Sequence, residues 1–284
     1  MLDTEVFGDH PGLTNRVRDF IVVDPIGRVI RTDGNTFDGD RHGTHVCDTI
    51  CGTSEEHKVA IGVAPGATLA VAGVLLGRAT LVSLLSGINW AIEKGARIMN
   101  MSLGLPYYEP QFAPLFKRLI DVYDILPVAA IGNENHGNSS SPGNAPDVLA
   151  VGAAELGYRG RLQVPFFSSG ASLVFSGTSH IHKPDLVAPG VRICSSIPPE
   201  DRAEGHFSYA YMNGTSMAAP HVSGAAALLM EAFPKASTRQ LGCVVVRGNR
   251  ACIEALASLP EVESIMENHE MKRLAFEPSV MFPK

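Results

Sequence analysis

A chain of 284 residues, 45% hydrophobic and 18% charged, is long enough to bury a large core and has the balance of a soluble globular enzyme. Its formal net charge of −6 speaks against nucleic acid or an anionic membrane as the main partner, and no apolar run approaches a membrane span. No apolar leader is visible and the five cysteines form no evident disulfide framework, so a cytoplasmic protein is expected, with a processed secreted chain as the alternative.

The chain opens on Leu2-Asp3-Thr4, a carboxylate at the third residue. Apolar strand-like runs follow at 20–23, 69–75, 97–101, 126–131 and 148–153. Helical stretches alternate with them at 42–51, 81–94, 111–123, 216–232 and 250–259. This alternation predicts an α/β fold with a mostly parallel central sheet and helices on both faces, three layers in all. Segments 134–145 and 163–182 are rich in Gly, Ser, Asn and Pro and read as surface loops. In such sheets ligands bind at the carboxyl ends of strands, where Ser102 and Asn133 fall.

Three motifs carry chemistry. The run 214–224, Gly214-Thr215-Ser216-Met217 onward, delivers Ser216 to the start of an alanine-rich helix, with Pro220 read as lying in its first turn. Alone, such a serine is usually an N-cap. Upstream stand His42-Gly43-Thr44-His45-Val46 and Ala130-Ile131-Gly132-Asn133-Glu134. A nucleophilic serine needs a base, a group orienting that base, and donors for the oxyanion; His42, Asp3 and the Asn133 amide fill those needs. Blander readings exist for each. His42 and His45 could form a metal pair, which lacks a third ligand at the usual spacing. Cys47 and Cys51 could join it but read better as buried small hydrophobes. Asn133 could be a turn residue after a strand.

The order Asp, His, Asn, Ser and the motifs around these residues resemble the subtilisin-like serine peptidases over about residues 1–240. The resemblance implies a serine endopeptidase working through an acyl-enzyme: Ser216 as nucleophile, His42 as base, Asp3 orienting it, Asn133 at the oxyanion. His45 and His221 become packing residues. Ser102-Leu103-Gly104 is implied as an extended edge that pairs with substrate backbone, with Gly77-Arg78-Ala79 opposite and Ala130 and Gly132 lining the primary pocket. Glu134 stands at that pocket's rim, where it could favour a basic side chain, although an exposed loop carboxylate is the plainer reading.

Several departures from the family pattern follow. Glu5 stands where glycine is usual, so the turn after Asp3 must tolerate a side chain. His10-Pro11-Gly12-Leu13 lacks a carboxylate that commonly binds structural calcium, and the 52–58 loop lacks the expected carbonyl-presenting pattern. No cofactor and no metal site is therefore expected, a weak calcium site elsewhere staying open. Only Met1 and Leu2 precede Asp3, too few for a strand of ordinary length, so an incomplete chain or another segment in that slot is expected. Residues 255–268 resemble the end of the family's inhibitory propeptide, which divides the chain into a catalytic domain, 1–240, and a propeptide-like extension, 241–284. The partners so implied are protein or peptide substrates and the chain's own C-terminal segment as a self-inhibitor. Two alternatives stand beside the endopeptidase: a pseudoprotease or peptide-binding regulator with an impaired triad, and a transpeptidase or macrocyclase on the same fold.

Overall fold

The computed structural model describes residues 1–32, 34–54, 59–77, 79–157, 160–174, 181–199 and 208–240. In chain order its elements are β1 (Leu2–Asp3), β2 (Val17–Val23), β3 (Val29–Arg31), α1 (His42–Cys51), β4 (Thr53–Ser54), β5 (Val59–Ala60), β6 (Leu69–Gly73), α2 (Leu81–Glu93) and β7 (Ile98–Met101). Then come α3 (Phe112–Tyr123), β8 (Leu126–Ala130), β9 (Leu149–Leu156), β10 (Leu162–Gln163), β11 (Ala171–Leu173), β12 (Ile181–Lys183), β13 (Leu186–Pro189), β14 (Ile193–Ile197), β15 (Ser208–Met212) and α4 (Thr215–Ala232).

The main sheet runs β10-β9-β8-β7-β1-β6-β2-β3, with β13 also paired to β9. All its pairings are parallel except the two ends, β3 on β2 and β10 on β9. Side chains alternate between faces along a strand, and the core divides accordingly. Ala72 and Ala129 pack with Leu84 and Ile88 of α2 and Phe112 and Phe116 of α3. Their neighbours Val71 and Val128 face the other way, toward Val46 and Ile50 of α1 and Ala218, Ala219 and Val222 of α4. Both faces are covered, which makes the three-layer α/β architecture read from the alternation. Small side chains on α4 let that helix lie close to the sheet.

Two residues do make the central strand. Leu2 pairs with Ala72 on one side and Met101 on the other, and Asp3 pairs with Gly73. The flanking backbone extends this grip: Ala72 N donates to Met1 O at 2.9 Å and Val74 N to Asp3 O at 2.8 Å. A strand bonded on both edges and buried on both faces does not need length to be held. The expectation that another segment fills the slot is thereby corrected. The valine run at 243–246, the helix at 250–259 and the whole 241–284 extension lie outside the described residues.

The segment 134–145 also departs from its reading as a surface loop. Residues 140–145 are buried, because the chain doubles back beneath the end of β8. Ser140 N donates to Ile131 O at 2.9 Å, and Ser141 exchanges two backbone bonds with Leu105. Polar residues sit inside here because their hydrogen bonds are made there.

Candidate active site

Helix α1 begins at His42, and its first turn is capped from three directions. The backbone N–H of His42 reaches Asp40 Oδ1 at 3.0 Å, that of Gly43 reaches Thr4 Oγ1 at 2.8 Å, and that of Thr44 reaches Asp38 Oδ2 at 2.9 Å. These are the donors a helix N-terminus otherwise leaves unpaired. Thr4 follows Asp3 directly and also donates to Asp38 Oδ1, so one network fixes β1 and α1 together. A side chain on Gly43 would collide with the Glu5 carbonyl; glycine there allows the close approach of α1 to β1. The Glu5 side chain is accommodated by turning its carboxylate to Gly39 N at 3.2 Å.

That approach brings His42 Nδ1 within 2.6 Å of Asp3 Oδ1. Asp3 is fully buried, and its Oδ1 also accepts Thr4 N at 2.7 Å. A proton on Nδ1 facing the carboxylate leaves Nε2 as the accepting nitrogen, the one a base uses. Burial works against the charged imidazolium, but the Asp3 charge and hydrogen bond, backed by Asp40 and Asp38, outweigh it and hold His42 above the ordinary histidine range.

Ser216 is the second residue of α4. Its Oγ donates to Ser102 O at 3.2 Å, and Ser102 Oγ donates back to Ser216 O at 2.8 Å. Pro220 explains the second bond. It is the sixth residue of the helix rather than part of its first turn, and its missing N–H is the one that would have taken the Ser216 carbonyl. Among the described residues Ser216 Oγ makes no hydrogen bond to His42; its one hydrogen bond is to the Ser102 carbonyl.

Asn133 follows β8, and its Oδ1 accepts the Thr215 N–H at 2.9 Å and the Thr215 hydroxyl at 3.1 Å. Asn133 Nδ2 lies 3.5 Å, and Ser216 N 3.7 Å, from the point where a Cβ of Gly214 would stand, so two nitrogen donors come close together beside the bare Cα of Gly214.

The chain matches the subtilase family model over residues 1–262. It belongs to the subtilase family. Subtilisin DY of Bacillus licheniformis is 33% identical over 250 residues, spanning 85% of this chain and 79% of that protein. Subtilisin Savinase of Lederbergia lenta is 34% identical over 244 residues, covering 85% and 78%. Among solved structures, Sphericase superposes with a TM-score of 0.73 at 28% identity over 86% of this chain and 80% of that one. S41 Psychrophilic Protease gives 0.69 at 27% identity over 85% and 79%. The subtilase fold and a subtilisin-like serine endopeptidase activity follow for this chain.

The remaining residues of the subtilase motifs sort by contact. Ser102, Leu103 and Gly104 follow β7, and Leu103 and Gly104 line an apolar pocket with Val74, Leu75, Ala79, Thr80, Leu84 and Leu105. Ala130 and Gly132 are buried at the end of β8, and Gly77 sits in a turn at φ 70° with open space around its Cα; Arg78 lies outside the described residues. His45 spends Nε2 on the Ile193 and Ala210 carbonyls, and His221 Nδ1 bonds Met217 O, so both pack rather than ligate. Burial raises the Cys47 and Cys51 thiols, Cys51 up to about 12, which keeps them protonated. Among the described residues no group of three His, Cys, Asp or Glu could hold a metal ion. Sequence reasoning missed Thr4, Asp38, Asp40 and Thr215; acids just before a helix start were the visible hint for two of them.

One consequence concerns pH. A protonated His42 cannot accept a proton, so kcat/KM should fall on the acid side from above the ordinary histidine value. Asp40→Asn keeps a cap for α1 but removes a charge that raises His42, and the acid limb should move to lower pH. A pH–rate profile whose limb stays in place would limit Asp40 to capping.

Proposed function

We propose that this subtilase hydrolyses peptide bonds through an acyl-enzyme on Ser216. The Ser216 hydroxyl gives its proton to His42 Nε2 as Oγ bonds the scissile carbonyl carbon. The resulting oxyanion is met by Asn133 Nδ2 and the Ser216 N–H. The C–N bond breaks as His42 returns the proton to the leaving amine, and water repeats the sequence to free the acid. Asp3 holds the imidazole throughout. The short His42–Asp3 bond, made by a buried carboxylate, is the observation that carries this reading over an impaired triad.

Ser102, Leu103 and Gly104 on one side and Gly77 on the other would hold the substrate as an added strand, with Ala130 and Gly132 at the primary pocket. Proteins or peptides are the substrates. The likeness of 255–268 to a propeptide end supports the C-terminal segment as a self-inhibitor, beyond a catalytic unit of about 1–240. The family match runs past that boundary to 262. Of the two compartments read from the sequence, the likeness to subtilisins supports the processed, secreted chain and gives the cytoplasmic one no support; no helix among the described residues is long and apolar enough to cross a membrane.

The chemistry needs no cofactor, and the residues beside Gly12 do not fit a tight calcium site. Asp48 of α1 fills the space there, its Oδ1 2.7 Å from where a Gly12 Cβ would stand. Asp48 Oδ2 is spent on Ser195 Oγ and Ser196 N, both at 2.9 Å. One remaining carboxylate oxygen falls far short of the six or more ligands calcium takes.

Hydrolysis is separated from acyl transfer by product mass. A peptide cleaved in the presence of an excess amine acceptor should yield the free carboxylic acid as the main product. A predominant amide product would make the chain a transpeptidase instead.

A further inference from the structure

Two residues beyond Asp3 the chain buries a second acid. Glu5 is 4% exposed, and Asp38, from the loop before α1, is 3% exposed. The Glu5 stem lies over Gly73 of β6, its Cγ 2.9 Å from the point where a Cβ there would stand. Its Oε2 accepts the Gly39 N–H at 3.2 Å. Gly39 directly follows Asp38, and the Glu5 and Asp38 carboxyl groups are themselves in hydrogen-bond contact. Two ionised carboxylates offer acceptors only and repel one another, so that contact needs a proton between them.

Hydrogen bonding decides which acid carries it. Asp38 Oδ1 accepts the Thr4 hydroxyl at 3.2 Å and Asp40 N at 3.1 Å. Its Oδ2 accepts the Thr44 hydroxyl at 2.6 Å and Thr44 N at 2.9 Å. Both Asp38 oxygens are thus committed as acceptors, and the proton falls to Glu5. The surroundings agree: burial raises the Glu5 pKa, and the Asp38 and Asp40 charges raise it further, against the Gly39 bond that lowers it. Of the other charged groups nearby in the chain, Asp3 ends β1, His42 opens α1, and Arg41 is exposed to solvent.

We propose that the Glu5 carboxyl donates a hydrogen bond to Asp38 and thereby acts as a positioning residue for His42. The proposal rests on His42 and Ser216 being the hydrolytic pair. Asp38 caps the first turn of α1 through Thr44 and holds Thr4, the residue next to Asp3, so it supports both partners of the His42–Asp3 bond. A proton from Glu5 locks Asp38 in that place by a charge-assisted bond. Ionisation of Glu5 sets a second negative charge against Asp38 in a buried position and drives the 38–40 loop away from α1. Glu5 acts through these neighbours and touches neither substrate nor reacting atoms.

The test compares the full-length parent with Glu5→Gln and Glu5→Ala, in kcat and KM on one peptide and in thermal melts across pH. A glutamine amide keeps an acceptor for Gly39 N and a donor for Asp38, so Glu5→Gln should be at least as fast as the parent. Glu5→Ala should lower kcat by about tenfold, the worth of one hydrogen bond to a charged group, with KM little changed. A Gln variant as slow as the Ala variant, or an Ala variant as fast as the parent, overturns the proposal. The melts give a readout independent of activity. Because folded Glu5 keeps its proton to higher pH than unfolded Glu5, the bond's contribution is whole at low pH. It is lost as pH rises past the ordinary glutamate value and through the raised one. Over that span the parent's melting temperature should fall relative to that of Glu5→Gln. A gap between the two that does not move with pH overturns the proposal whatever the activity. A parent that cuts no peptide overturns the hydrolytic reading and the positioning role with it, while a pH-dependent gap still supports the Glu5–Asp38 bond.

Discussion

Replacing His42 with alanine should lower kcat by about 10⁶, the scale known for the equivalent loss in subtilisin. Without the imidazole the Ser216 proton has no acceptor, and the leaving amine has no donor. The fold should survive, because the first turn of α1 is capped by Asp40, Thr4 and Asp38 through backbone N–H groups and not through the ring. The measurement is kcat on a peptide substrate beside a thermal melt. A variant that melts as the parent does and keeps more than about a hundredth of its rate would remove His42 from the reaction.

The second large effect belongs to Asn133. Its donor meets charge that appears only in the transition state, so Asn133→Ala should cost roughly 10²–10³ in kcat, as for the oxyanion asparagine of subtilisin, with little change in KM. The alanine variant also frees the Thr215 N–H that Oδ1 accepts. Asn133→Asp controls for this, since it keeps the acceptor and loses the donor. Both variants should be slow. Near-normal kcat in Asn133→Asp would mean that the residue matters only for holding the start of α4.

These residues were legible in sequence because each sits in a contiguous motif whose chemistry is local: a base at a helix start, an amide after a strand, a serine before a small-residue helix. Their supports were not. Thr215 and Asn133 are 82 positions apart, and Thr4 and Gly43 are 39 apart, so those bonds exist only once the sheet has brought loops together. Strand β1 misled for a different reason. Ordinary strand length describes strands that must recruit partners along their length, whereas Leu2 and Asp3 are inserted between β6 and β7, both longer. The loop 134–145 was misread because composition records polarity and not satisfaction. Ser140 and Ser141 are polar and buried, each bonded inside.

The central claim is that a two-residue strand holding Asp3 against His42 completes a working nucleophile at Ser216. Reaction of the folded chain with a fluorophosphonate, followed by mapping of the adduct, tests it most directly. One adduct per chain is expected, on Ser216, forming more slowly as pH drops and His42 takes up a proton. A folded chain that gains no adduct, or gains it on another serine, would contradict the account.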